Sequence, residues 1–110
     1  MQIEKYISKE YIDRGLKLVK IGINEIAFNK SDALKVLEEL EKNSVAVLGG
    51  DVYYIKNNVI TLTYDNWFIN RDDEEWLLYV EKSIKKARSY IRTYDYMNSN
   101  VYFTLVIAAH

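Results

Sequence analysis

Apolar residues recur at helical spacing in some stretches of the chain and form strand-like runs in others. Residues 8 to 20 predict a first helix, with Ser8 as N-cap and Ile12, Leu16 and Val19 along one side. Gly15 weakens that helix, and Gly22 predicts its end or a bend. Residues 23 to 30 read as either a short strand or a turn. A second helix is predicted to start at a Ser31 cap, with Asp32 in its positive first turn. Its stripe is Ala33, Val36, Leu37 and Leu40, and it should stop near Asn43. Val45-Ala46-Val47-Leu48 is a continuous apolar run that meets Gly49-Gly50, a turn or bulge signal. Asp51 to Lys56 and Val59 to Tyr64 predict two strands joined by Asn57-Asn58, because asparagine tolerates the positive φ angles of a two-residue turn. After a loop from Asp65 to Arg71, the longest helix is predicted over about 73 to 91 with Asp72 as its cap. Trp76, Leu77, Val80, Ile84, Ala87 and Ile91 form its stripe. Val101 to Ala108 is apolar on both faces, the pattern of a strand inside a sheet. This order predicts an α+β fold, a small and mostly antiparallel sheet with about three helices packed against it.

Composition narrows the choice of function. A length of 110 residues suits one domain spanning 1–110, and 49% hydrophobic residues can build its core. Without cysteine there is no disulfide and no thiolate metal site. Met1-Gln2-Ile3-Glu4-Lys5 lacks the charged-then-apolar design of a signal peptide, and no apolar run approaches the roughly 20 residues of a membrane helix. The expected location is therefore the cytoplasm, with no membrane partner. A net charge of -1 gives the whole molecule no strong pull towards nucleic acid.

Candidate chemistry is sparse. The one histidine is the terminal His110, a poor base for a nucleophile, and neither clustered metal ligands nor a phosphate-cradling loop is visible. The expectation is a protein with no catalytic residues, no cofactor, no metal and no small-molecule substrate. Asp51 and Asp65 flank the hairpin and are the only defensible acid/base pair, but each reads more readily as turn chemistry, since Asp beside Gly or Asn commonly bonds nearby backbone amides. Four consecutive acids, Asp72, Asp73, Glu74 and Glu75, project around a helix axis instead of converging on a cation. Lys82, Lys85, Lys86, Arg88 and Arg92 make a basic stretch that would track phosphates or would simply be a solvated face.

Ten tyrosines and two tryptophans make the chain rich in side chains favoured at interfaces. They gather with acceptors in Gly49-Gly50-Asp51-Val52-Tyr53-Tyr54 and Thr63-Tyr64-Asp65-Asn66-Trp67, which the short hairpin brings to one region of the sheet. This mixture has the composition of a binding hot spot, while Trp67 reads as either a core plug or an anchor.

Those same segments carry a family likeness. Gly22-Ile23-Asn24-Glu25-Ile26-Ala27, Ser31-Asp32-Ala33-Leu34, Val47-Leu48-Gly49-Gly50-Asp51-Val52-Tyr53 and Tyr64-Asp65-Asn66-Trp67 resemble the immunity protein 40 family of bacterial polymorphic-toxin systems. The likeness covers roughly residues 5 to 92, with the Gly-Gly-Asp-Val-Tyr segment its most distinctive part, and leaves out the tail from Tyr94 to His110. It implies a cytoplasmic protein that binds and neutralises a cognate toxin domain, and it supplies no catalytic residues. The expected partner-binding set is Asp51, Tyr53, Tyr54, Asp65, Trp67, Asp72, Asp73, Glu74 and Glu75, with Tyr94 or Tyr96 as further anchors. Nuclease toxins tend to be basic, and an acidic surface would steer their capture. The competing reading is a small nucleic-acid-binding or regulatory domain using the basic helix 82–92. A homodimer through exposed strand edges stays open unless the first helix covers them.

Overall fold

A computed structural model describes residues 3–96 and 100–110. A 3-10 turn at Ile3–Lys5 leads into α1 (Lys9–Arg14), β1 (Leu16–Lys17), a second 3-10 turn at Leu18–Ile21, and β2 (Ile26–Asn29). Then come α2 (Lys30–Lys42), β3 (Ala46–Lys56), β4 (Val59–Phe68), α3 (Trp76–Thr93), β5 (Val101–Phe103) and β6 (Val106–Ala108). All strand pairs are antiparallel, in the order β1-β2-β5-β3-β4, with β6 also on β3. The α+β expectation holds.

The expected first helix is cut short. It ends at Arg14 because Gly15 turns extended (φ -65, ψ 150), and a Cβ there would lie 2.2 Å from Ile26 Cγ2 on β2. Packing then overrides the apparent stripe: Leu18 is fully buried while Val19 is 68% exposed. Gly22 ends the following 3-10 turn in the left-handed conformation (φ 83), as its position suggested. Ser8 occupies the N-cap position of α1, but its N–H and hydroxyl donate to the Glu39 carboxylate and tie α1 to α2.

The cap of α2 is Asn29, whose side chain accepts from the Asp32 N–H at 2.8 Å, so Ser31 already lies inside the helix. Asp32 is buried and takes both Arg14 Nε and Nη2 at 2.9 Å, which holds its carboxyl below the usual carboxylate range. The Asn57-Asn58 turn is as expected, with φ of 52 and 64. Gly49-Gly50 is no turn, since β3 runs through it. The other half of that expectation, a bulge, holds, because the β3–β6 register shifts between Val47 and Gly49. β4 continues past Tyr64 to Phe68, into the segment expected as loop. The final apolar run is two strands laid end to end along β3, and β5 is internal, between β2 and β3.

The sheet separates two apolar clusters. Phe28, Val52 and Phe103 pack with Val36, Leu37 and Leu40 of α2 and with Val80, Ile84, Ala87 and Ile91 of α3. Buried Ser83 belongs on this side of α3 because its hydroxyl accepts from Val47 N–H (3.0 Å) and donates to the Val80 carbonyl (2.9 Å). On the other face Tyr53 joins Leu18 and Ala27, with Leu16, Ile23, Leu62 and Tyr102 around them. The β1 and 3-10 segment therefore covers only part of that second face.

Candidate interaction surface

Register builds the surface. Asp51 opposes Asn66, Gly50 opposes Trp67 and Gly49 opposes Phe68 on β4, while Gly49 also opposes Val106 on β6. An unbroken hairpin would have set Asp51 opposite Tyr64. Between the pairs Tyr53–Leu62 and Asp51–Asn66, however, β4 spends three residues against Val52 alone. This bulge places Tyr64 in the left-handed region (φ 71), with its side chain 82% exposed. Because the shift is by two residues, Trp67 still points to the main core and its neighbours Asn66 and Phe68 to the opposite face. The same alternation sends Ile107 inward and Val106 outward.

The sequence correctly brought the two aromatic and acidic segments together, but their side chains part company. Tyr53 is buried in the smaller cluster. Trp67 is 5% exposed and stacks on Tyr90 with ring centroids 4.7 Å apart, so it plugs the core and is no exposed anchor. Its Nε1 is the one buried side-chain polar atom without a partner among the described residues. Tyr54 is half-buried with its ring 5.1 Å from that of Tyr96. Asp65 is exposed and accepts the Tyr94 hydroxyl at 2.7 Å. Burial, with the Asp65 contact adding to it, has the Tyr94 phenol pushed up to about 12. Asp65 is thus engaged away from any acid/base pairing with Asp51.

Asp51 is held by its backbone: its N–H donates to Thr104 Oγ1 at 2.9 Å and its carbonyl accepts from Thr104 N–H at 3.0 Å. Its carboxylate has no hydrogen bond or ion pair among the described residues. Glu25 lies within its electrostatic reach; burial, then Asp51, raise the Glu25 carboxyl above its ordinary value.

The acidic run lies before α3, not in its first turn. Glu75 takes the N-cap position in place of Asp72 and makes no side-chain cap bond. Glu74 accepts from the Asp72 N–H at 2.8 Å and pairs with Lys82, while its carbonyl accepts from Arg71 Nη2 at 2.9 Å. Asp72, Asp73 and Glu75 remain exposed. The expected α3 stripe holds at Val80, Ile84, Ala87 and Ile91, with Trp76 packed at its edge, but Tyr79 is buried while Leu77 is exposed. The basic stretch is partly spent inside the fold, since Lys82 pairs with Glu74, Lys86 donates to the Phe68 carbonyl at 2.6 Å, and Arg88 meets Glu41 at 3.5 Å. Lys85 and Arg92 are exposed on α3.

Sequence reasoning missed Glu25, Phe68 and Val106. Register reveals Phe68 and Val106, Glu25 shows only through its interaction with Asp51, and the β4 bulge that shifts the register has no local signature. Among the described residues no group of His, Cys, Asp or Glu could hold a metal ion, and no helix is long and apolar enough to cross a membrane. What the fold presents is an α+β scaffold with one sheet face partly uncovered, a form suited to binding another macromolecule.

The family model for Immunity protein 40 matches residues 17–107, and the chain belongs to that family. The match extends through β5 and into β6, past residue 92 where the sequence resemblance stopped, and begins at 17 rather than 5, which leaves α1 outside it. The family's usual setting is the bacterial polymorphic-toxin system. No curated protein and no solved structure matches the chain.

Proposed function

We propose that this protein neutralises a cognate toxin domain by binding it in the cytoplasm and covering its active site or an exosite essential to it. The reading takes residues 1–110 as one functional domain and needs no catalytic residue, cofactor or small-molecule substrate. The observation that carries it is the immunity-family match across residues 17–107, which includes β3, β4 and the Val106 position of β6 on the uncovered face. Surface chemistry supports it: Asp51, Asp65 and the Asp72–Glu75 run supply negative charge, and steering by such charge accelerates encounter with a basic partner. Tyr54, Tyr94 and Tyr96 offer partly exposed rings beside Asp65.

Co-expression tests the reading directly. A cell that makes the toxin domain encoded beside this protein should stop growing, and growth should return when this chain is co-expressed. The purified pair should co-elute. Growth arrest that persists despite abundant folded protein would refute it.

A further inference from the structure

The uncovered part of the sheet is concave. Phe68 (63% exposed) and Val106 (43% exposed) rise from β4 and β6 on either side of Gly49 and border an open depression of about 240 Å³. Its floor is bare backbone for a steric reason: a Cβ at Gly49 would lie 2.2 Å from the Trp67 carbonyl oxygen. One end of the depression holds Asp51 and, directly across the strand pair, Asn66. Asp65 is engaged by Tyr94 and Glu74 by Lys82, and Asp72, Asp73 and Glu75 are exposed but do not line the depression. The Asp51 carboxylate, by contrast, is unpaired among the described residues and borders it. Lys86 approaches Phe68 from α3, but its ammonium is tied to the Phe68 carbonyl and lies 5.9 Å from the ring centroid.

We infer that this notch receives a basic side chain of the toxin domain, its aliphatic stem between Phe68 and Val106 and its charged head on the Asp51 carboxylate. The inference rests on the immunity reading and names the part of the surface that does the gripping. Lysine and arginine combine an apolar stem with a cationic head, which matches apolar walls that end in an unpaired carboxylate. Glu25, outside the depression, is near enough to Asp51 for its charge to add to the burial that chiefly raises the Glu25 carboxyl. Desolvating a carboxylate against a matched cation makes the contact one that governs dissociation.

The test measures affinity of catalytically inactivated toxin domain for the wild-type protein and for D51N, F68S and L77S. Asp51→Asn keeps the backbone bonds to Thr104, and Phe68 and Leu77 are exposed, so circular dichroism should show all variants folded. Asp51→Asn should weaken binding by about 30-fold or more, chiefly through faster dissociation. Phe68→Ser should cost about fivefold or more, and Leu77→Ser, on α3, should change nothing measurable. Asp51→Lys should be rescued by a toxin variant whose seated basic residue is changed to glutamate. Wild-type affinity in both notch variants would overturn the inference and leave the immunity reading standing. If sedimentation shows wild-type dimers that Phe68→Ser dissociates, with toxin affinity unchanged, a second copy of this chain fills the notch and the inference fails. A wild-type protein that neither binds nor protects would sink the immunity reading and this inference together.

Discussion

On the helix-covered face of the sheet, Phe28, Val52 and Phe103 form a cross-strand row with little or no exposed surface. On the opposite face the row through Phe68, Gly49 and Val106 is open, and beside it Asp51 and Asn66 present polar groups. The two rows cross at β3 on opposite faces of one sheet, and they differ in what lies above them. Two helices seal the first, while the β1 and 3-10 segment stops short of the second. Burial of the first row is where stability comes from, since fully burying one large apolar side chain contributes about 1.5–3 kcal/mol. The open row does not repay its apolar surface in this way.

The contrast is easiest to break at its two phenylalanines. Phe103→Ala should lower unfolding free energy in urea by about 3–5 kcal/mol, because a closely packed cavity cannot collapse. Phe68→Ala should change it by no more than about 0.5 kcal/mol, as for surface substitutions generally. Equal losses at both sites would erase the distinction between the faces. A smaller effect of opposite sign is expected at the bulge. Left-handed backbone costs a side-chain-bearing residue about 1–2 kcal/mol, and glycine's extra chain entropy returns about 0.5–1 of that. Tyr64→Gly should therefore stabilise the fold by roughly 0.5 kcal/mol; a loss instead would mean that the exposed ring contributes to packing.

Titration should report on Tyr94 and Asp32 in opposite pH ranges. Tyr94, edge-on to Phe103, keeps its proton to about 12 in the fold, against 10.0 unfolded. Above pH 10.0 the unfolded chain loses this proton first, so stability should fall as pH rises through that window. Tyr94→Phe should remove this part of the alkaline loss. Asp32 works in the other direction: Arg14 depresses its pKa, so its contribution is present above the ordinary carboxylate value and is lost as pH falls through the depressed one. Asp32→Asn should flatten that part of the acid limb in pH-dependent urea titrations.

Local features were legible in the sequence and long-range ones were not. Ala33, Val36, Leu37 and Leu40 announced α2, and Asn57-Asn58 announced the hairpin, because each depends on neighbours in the chain. The end of α1 depends on Ile26 pressing against Gly15, which no window around Gly15 contains. Nor does the acidic run disclose that Arg71 reaches the Glu74 carbonyl and that Glu74 turns back to Asp72, bonds that hold 72–74 outside α3. For the surface, proximity of Asp51 to the Asp65–Trp67 segment was readable from the short hairpin. Which of those side chains face solvent was decided by the bulge and by packing: Tyr53 and Trp67 went inward, and Phe68 and Val106 came out.

The far edge of β4 has no strand beside it among the described elements, which leaves a ten-residue backbone rail facing solvent. An even rail of that length is a template on which like chains stack into fibres. The kink at Thr63–Asp65 divides it into two shorter lengths that cannot both stay in step with one incoming strand. Tyr64 thus carries a conformational cost that keeps this edge from offering one even template to an incoming strand.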